Sequence, residues 1–331
     1  MVQSRLQIMK FCHVRDRATK SRAGHTIQGT KIMRDNSQIS VYSYPGEDLV
    51  WPNGRRIAVV FNVAYEMWTD GATSGVGPMG NLLEGGLYDP NADSYGRYNA
   101  QVGSRRLLGI LERRGIAASV LTSGKVAEHY PDDLGAAASA GHDIVAHGYA
   151  QDMIAPTLTA DADAASIATT TEAIERATGV RPAGWVSPRV TSSVENHRRL
   201  AKAGYTWHGD ALDQDLPYVQ TFPEGEILAI PMSVEFNDLP HSMRFGRTPT
   251  QFVDLFADAL DGIKRQAEET IILDIFGHGH CYGRPAAAWA IDEIASLCQQ
   301  DGELWITTRS EIAQHCAPAS TSWLRTASRP S

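Results

Sequence analysis

The chain has 331 residues, 43% hydrophobic and 21% charged, with a formal net charge of −8 and a pI near 5.8, an ordinary globular balance that excludes the basic stripe of a nucleic-acid binder. No apolar run approaches the roughly 18–20 residues of a membrane span. Cys12, Cys281, Cys298 and Cys316 are too sparse and scattered for a disulfide scaffold or a CxxC pair, and they fit a reducing, cytoplasmic setting.

In chain order, the first 33 residues carry Arg5, Lys10, Arg15, Arg17, Lys20, Arg22 and Lys31 against one acid, Asp16. They lack the apolar core of a secretory signal. A disordered extension, a transit-like segment and a mis-assigned start before Met33 are the open readings, and residues 1–40 are set apart from the fold. Residues 317–331, rich in Ser, Thr and Pro, are set apart as a disordered tail.

Residues 57–63 (IAVVFNV) predict the first strand, and residues 98–115 a helix with Val102, Leu107, Leu108 and Leu111 near helical spacing and Gly115 as its stop. Residues 116–123 (IAASVLTS) follow as a strand, then a helix over 126–140. Residues 143–148 (DIVAHG) are the third strand, and residues 159–179 a helix capped by Thr159 or Asp161. Residues 182–187 (PAGWVS) predict a fourth strand, followed by a helix over 194–204. The extended stretches YTWHGD and GEILAIPM lead to a helix over 249–267. The apolar strand TIILDIFGHG, a helix over 285–300, the strand LWITT and the helix RSEIAQHC complete the pattern.

Strand and helix alternating about seven times predict parallel pairing with helices outside. The expected fold is α/β, a single distorted (β/α) barrel of about seven parallel strands over residues 41–316, with its working residues at the C-terminal strand ends. One connection is long: residues 67–99, Gly-rich and aperiodic, read as a binding loop or lid.

The strand-end rule collects Asn62, Tyr65 and Glu66 after the first strand, and His147, Tyr149 and Gln151 after the third. Trp185, Ser187 and Arg189 follow the fourth, with Asp210, Asp213, Asp215, Glu235, Asn237 and Asp238 beyond. His278 and His280 end the late apolar strand. Plain structural roles compete: an ion pair of Arg181 with Asp238, or of Glu66 with Arg181 or Arg284.

The ordered series WPNGRRIAVVFNV with the following Glu, GHDIVAHGY, RPAGW, DLPY, FND, HGHCYGRP and WITTRSEIAQH resembles the polysaccharide deacetylase, or NodB-homology, superfamily of carbohydrate esterase family four. The resemblance runs from about Trp51 to Cys316 and implies the same barrel. In metal-dependent members two aspartates end the first strand, one a base and one a metal ligand, and the second motif is His-x-x-x-His. The matching positions here are Asn62 and Ala64, and His147 and Gln151. AYE is similar to the metal-independent allantoinase branch, which carries Asn-Tyr-Glu and forms homo-oligomers, and cyclic-imide hydrolases resemble that branch too.

This resemblance implies a metal-independent hydrolase that opens a small cyclic amide, imide or ureide, with no cofactor, no nucleic-acid or membrane partner, and a homo-oligomeric state. Glu66 or His278 is the expected base, with burial raising Glu66 toward neutrality, and His147 the donor to the oxyanion or leaving nitrogen. Asn62, Tyr65, Trp185, Arg189, Asp238 and His280 are the expected substrate-binding residues, Tyr65 and Trp185 as flat walls and Arg189 as an anion or carbonyl partner. The alternatives are an inactive binding module, and a polysaccharide or chito-oligosaccharide N-deacetylase holding zinc or another divalent cation on His147, Asp238 and His278 or His280.

Overall fold

In a computed structural model, residues 40–43, 49–73, 77, 87–266 and 269–317 are described. Residues 1–39 and 318–331, which make up all but residues 40 and 317 of the segments set apart, and residues 74–76 and 78–86 of the expected lid, lie outside them. The described residues all fall in the unit Gln38–Ser331.

The strands are β1 (Ser40–Ser43), β2 (Ile57–Tyr65), β3 (Ser119–Thr122), β4 (Asp143–Ala146), β5 (Gly184–Trp185), β6 (Trp207–His208), β7 (Tyr218–Phe222), β8 (Gly225–Ala229), β9 (Phe236–Asn237), β10 (Ile271–His278) and β11 (Leu304–Thr307). They form one sheet in the order β1-β7-β8-β6-β5-β4-β3-β2-β10-β9, with β11 against the first half of β2. Every pairing from β8 round to β9 is parallel. The β7–β8 hairpin and the β1–β7 pair are antiparallel. The strand–helix pattern does not announce this hairpin, and β1 begins one residue inside the segment set apart as residues 1–40.

The helices are α1 (Pro90–Tyr98), α2 (Ser104–Arg113), α3 (Gly124–His129), α4 (Pro131–Ser139), α5 (Ala160–Thr178), α6 (Val194–Lys202), α7 (Pro249–Gln266), α8 (Ala288–Gln300) and α9 (Arg309–Cys316). The single helix expected over 126–140 is split because Pro131 has no N–H to continue it. Thr159 caps α5 and Gly179, at φ 75°, ends it as expected. Part of the presumed lid is helical. Asp89 accepts from the backbone N–H groups of Asn91 and Ala92, and Pro90 stands at the first helical position.

Side-chain alternation along β2 divides the core. Ile57, Val59, Phe61, Val63 and Tyr65 pack outward with Leu107, Leu111, Phe256 and Ile291 of the helices. Ala58 and Val60 pack inward with Val145, Val186, Trp207, Leu228 and Ile272. Successive strand residues face opposite sides, so Asn62, Ala64 and Glu66 belong to the inner face.

The hydrogen-bond ladders do not close into a ring among the described residues; side chains bridge the gap between the segment after β8 and β10. The Ser233 N–H donates to Asp274 Oδ2 at 3.0 Å, and the Asp274 N–H donates to Ser233 Oγ at 2.7 Å. Arg309, fully buried, donates to Asn62 Oδ1 at 3.2 Å, to the Ile230 carbonyl at 3.3 Å and to Asp274 Oδ1 at 2.5 Å. No helix among the described residues is long and apolar enough to cross a membrane.

Candidate active site

Parallel register brings the strand ends to one edge. Tyr65 stands opposite Thr122, Thr122 opposite Ala146, Ala146 opposite Trp185, Trp185 opposite His208 and His208 opposite Ala229. On the other side of β2, Ala64 stands opposite His278.

Glu66 is 6% exposed and is the centre of the polar residues at this mouth. Its Oε1 lies 3.4 Å from His147 Nε2, and its Oε2 lies 3.9 Å from His280 Nδ1. Its backbone N–H donates to Asn99 Oδ1 at 2.8 Å. His147 donates from Nδ1 to the Val186 carbonyl at 2.7 Å, which leaves Nε2 as the atom that faces Glu66. The turn after His147 needs Gly148 at φ 67°, where a Cβ would lie 2.5 Å from the Pro188 ring.

Asp238, 0% exposed, supports His278 from behind. Its Oδ1 accepts from His278 Nδ1 at 2.6 Å, and its Oδ2 accepts the backbone N–H groups of His278 at 2.8 Å and Tyr282 at 3.0 Å. Arg284 donates from Nε to the His280 carbonyl at 3.0 Å and lies 4.2 Å over both the Tyr95 and Tyr98 rings. Trp68 and Tyr95 pack on His280 in T-shaped contacts, with ring centroids 5.4 and 5.7 Å away.

Burial alone would raise the Glu66 carboxyl, but His278, His147 and His280 together outweigh it and hold it down at about 2. This corrects the expectation that burial brings Glu66 toward neutrality. Burial alone would lower His278, but Asp238 and then Glu66 outweigh it and hold it up at about 9. His280 follows its burial down to about 4, with His278 beside it adding to the drop. At neutral pH the mouth thus holds a carboxylate, an imidazolium and a neutral imidazole.

Four expected binding residues lie elsewhere or act differently. Asn62 is an interior residue that donates to Asp274 Oδ1 at 2.9 Å. Tyr65 faces outward, donating to the Ala100 carbonyl at 3.3 Å, and cannot wall the mouth. Trp185 packs in an outer cluster, edge-on to Tyr205 and bonded to Ser187 Oγ at 3.1 Å, because its side chain points opposite to that of Val186. Arg189 is exposed at φ 58°, and its side chain makes no hydrogen bond or ion pair among the described residues. Asp238 binds His278 rather than Arg181, which pairs with Glu175 at 3.8 Å. Among the described residues, neither Arg181 nor Arg284 forms an ion pair with Glu66. Sequence reasoning misses Trp68, Tyr95, Asn99 and Arg284 as site residues, and the Asp89–Pro90 helix start is the available signal for two of them, Tyr95 and Asn99.

The donor set does not suit a divalent cation. Ala64 has no ligand atom, Gln151 donates its amide to the His147 carbonyl at 3.1 Å, and both Asp238 oxygens are engaged. His147, Asp238 and His278 do not form a group of mutually close donors. Among the described residues one such group exists, His197, His208 and Asp210, outside this mouth. There His208 Nδ1 accepts the Asp210 N–H at 3.1 Å and Nε2 faces Gln220 Oε1 at 3.1 Å, which uses both ring nitrogens. The His197 and His208 rings stack at 3.9 Å, so their in-plane lone pairs run side by side instead of converging.

The polysaccharide deacetylase family model matches residues 94–208. A peptidoglycan deacetylase of Helicobacter pylori is 23% identical over 76% of this chain and 94% of its own length. The crystal structure of a probable polysaccharide deacetylase from Pseudomonas aeruginosa PAO1 superposes with a TM-score of 0.71 at 25% identity, covering 80% of this chain and 92% of that one. The crystal structure of Puue allantoinase gives 0.69 at 26% identity, covering 80% and 91%.

Proposed function

We propose that this chain, which belongs to the polysaccharide deacetylase superfamily, is a hydrolase of non-peptide carbon–nitrogen bonds that opens a small cyclic amide, imide or ureide without a metal. The observation that carries the reading is the mouth's donor set. Among the described residues it lacks three convergent metal ligands, yet it holds two imidazoles pushed toward opposite protonation states beside a carboxylate.

Opening such a ring needs a base for water, a donor to the oxyanion and an acid for the leaving nitrogen. A carboxylate as acidic as Glu66 is a poor base by itself. His147 Nε2 is the better acceptor, with Glu66 stabilising the imidazolium it becomes and the Val186 carbonyl holding Nδ1–H. His278, protonated and backed by Asp238, is the acid and not the base. As the water oxygen bonds to the ring carbonyl carbon, its proton passes to His147 Nε2. The C–N bond then breaks with its electron pair on nitrogen, which takes the Nε2 proton of His278. Solvent returns the proton from His147 to His278, leaving net addition of one water. A strained imide or hydantoin has a lower intrinsic barrier than a sugar acetamide, which suits a site of acid–base groups worth about 10²–10⁴-fold each.

The reading includes a homo-oligomer in a reducing, cytoplasmic setting. The resemblance to the allantoinase branch supports the first, and the buried free thiols of Cys281, Cys298 and Cys316 fit the second.

The test is metal analysis of the purified protein with a hydrolysis panel of hydantoins, cyclic imides, allantoin and N-acetylglucosamine oligomers, with and without chelator. Ring opening that survives chelation is expected. Chelator-sensitive removal of acetyl groups from the oligomers would favour metal-dependent deacetylation, the reading that the Helicobacter relative supports.

A further inference from the structure

Asn99 opens the π-helical turn Asn99–Gly103, which joins α1 to α2, and it is fully buried. Such turns recur where a side chain must be aimed at a functional site. Backbone groups fix which way its amide points. The Glu66 N–H can only donate, and it donates to Oδ1 at 2.8 Å; the Ala64 carbonyl can only accept, and it accepts from Nδ2 at 3.0 Å. The Ser104 hydroxyl adds a second donor to Oδ1 at 2.9 Å.

Nδ2 has one hydrogen left, and His280 Nδ1 lies 3.1 Å away. Glu66 Oε2, at 3.5 Å, is the more distant competitor. His280 Nδ1 must therefore be the acceptor, and the ring proton resides on Nε2. Two backbone groups thus dictate, through one amide, the tautomer of a histidine 181 positions away. Burial and the neighbouring cationic His278 keep that ring neutral.

No hydrogen bond from Nε2–H is found among the described residues, and this nitrogen is not one of the enclosed polar atoms that lack a partner. The His280 ring sits beside the acid of the reaction and meets the Trp68 and Tyr95 rings at steep angles. We propose that His280 Nε2–H is the neutral donor that receives the ring carbonyl oxygen and its developing negative charge, and that Asn99 is the positioning residue that holds His280 in this tautomer. This rests on the acid–base reading above and gives the oxyanion a partner that no metal supplies. His280 transfers no proton; His147 and His278 carry the proton traffic.

The experiment is ¹⁵N NMR of histidine-labelled full-length protein at pH 7, with the wild type compared with Asn99→Asp. The wild-type ring should show a protonated Nε2 and a bare Nδ1. The carboxylate introduced by Asn99→Asp, an acceptor, should move the proton to Nδ1 or make the ring cationic. A wild-type His280 that is cationic or carries its proton on Nδ1 overturns the proposal, whatever the substrate.

Steady-state kinetics on hydantoin supply the second arm. Removing an oxyanion donor costs about 10²–10³ in kcat, so Asn99→Asp should lose about 10²-fold in kcat with KM moved by less than about threefold. If Asn99→Asp fails to fold, His280→Gln and His280→Phe carry the comparison. Gln retains an N–H donor and should keep at least about tenfold more kcat than Phe. Equal rates for those two, or an undiminished kcat in Asn99→Asp, overturn the oxyanion role. If the wild type opens no ring amide in the panel while the tautomer is as stated, the functional reading fails and the assignment of Asn99 as the tautomer-setting residue stands.

Discussion

Ala64 and His278 stand opposite each other in the β2–β10 ladder. The strand position that offers no donor atom is thus the direct neighbour of the imidazolium. An aspartate at position 64 would reach the same inner face as Glu66 and compete for that charge. With alanine there, Glu66 and Asp238 are the two anions that hold His278 protonated.

Asp238→Asn tests the proton donor. It removes the largest influence raising His278, so the midpoint of the His278 titration should fall from about 9 toward ordinary imidazole values. Because His278 works as the acid, wild-type kcat should decline as pH rises through about 9, and that limb should move to lower pH in the variant. Loss of a positioned acid costs about 10²–10⁴-fold, which bounds the expected drop in kcat. NMR titration and a pH–rate profile measure both.

Stability should fall on both sides of a plateau near pH 6.5. His278 has its folded pKa raised from 6.5 to about 9, so its contribution is fully present below 6.5 and lost as pH rises through 9. His208 and His280 are lowered from 6.5 to about 3 and about 4, chiefly by burial. Their contributions are present above 6.5 and lost as pH falls from there toward 3. Glu66, lowered from 4.5 to about 2, adds loss below 4.5. Urea midpoints taken from pH 3 to 10 would trace both limbs, and His278→Ala should flatten the alkaline one.

Arg309→Ala should unfold at markedly lower temperature. It leaves Asp274 fully buried without its cation, and breaking one side of such a pair costs about 3–5 kcal/mol. Burial already outweighs Arg309 and Asn62 in raising the Asp274 carboxyl, so the variant should bury it protonated. Arg309→Met with Asp274→Leu should recover much of the loss in a thermal melt.

Gly148→Ala should weaken both stability and turnover. The new methyl group meets the Pro188 ring at 2.5 Å on a backbone held at φ 67°, a strain of about 1–3 kcal/mol. Relief requires movement of the turn that aims His147 at Glu66, so kcat should fall more than KM rises. Calorimetry and kinetics on the same preparation separate the two effects.

The parallel α/β plan was legible because β2, β3, β4 and β10 are apolar runs between periodic helices, and hydrophobic pattern is a strong local signal. The misplaced walls came from side-chain parity. Tyr65 and Trp185 are each one residue away from an inward position, and strand ends read from sequence alone do not say which face a residue takes. The β7–β8 hairpin has no Asn-Gly turn, and Pro223-Glu224 between its strands did not announce one. Asn99 was out of reach for another reason. Its role comes from four groups at positions 64, 66, 104 and 280 that only the folded chain assembles.

The gap bridged by Ser233, Asp274 and Arg309 has a temporal consequence. Arg309 begins the last described helix, and the pairing of β2 with β10 joins residues 57–64 to residues 271–278. During synthesis at about 5–20 residues per second, the first strand must wait many seconds for the partners that cover it and for the guanidinium that locks the wall. The wall of the mouth is thus completed only once Arg309 has been made, and until then the apolar β2 depends on transient shelter.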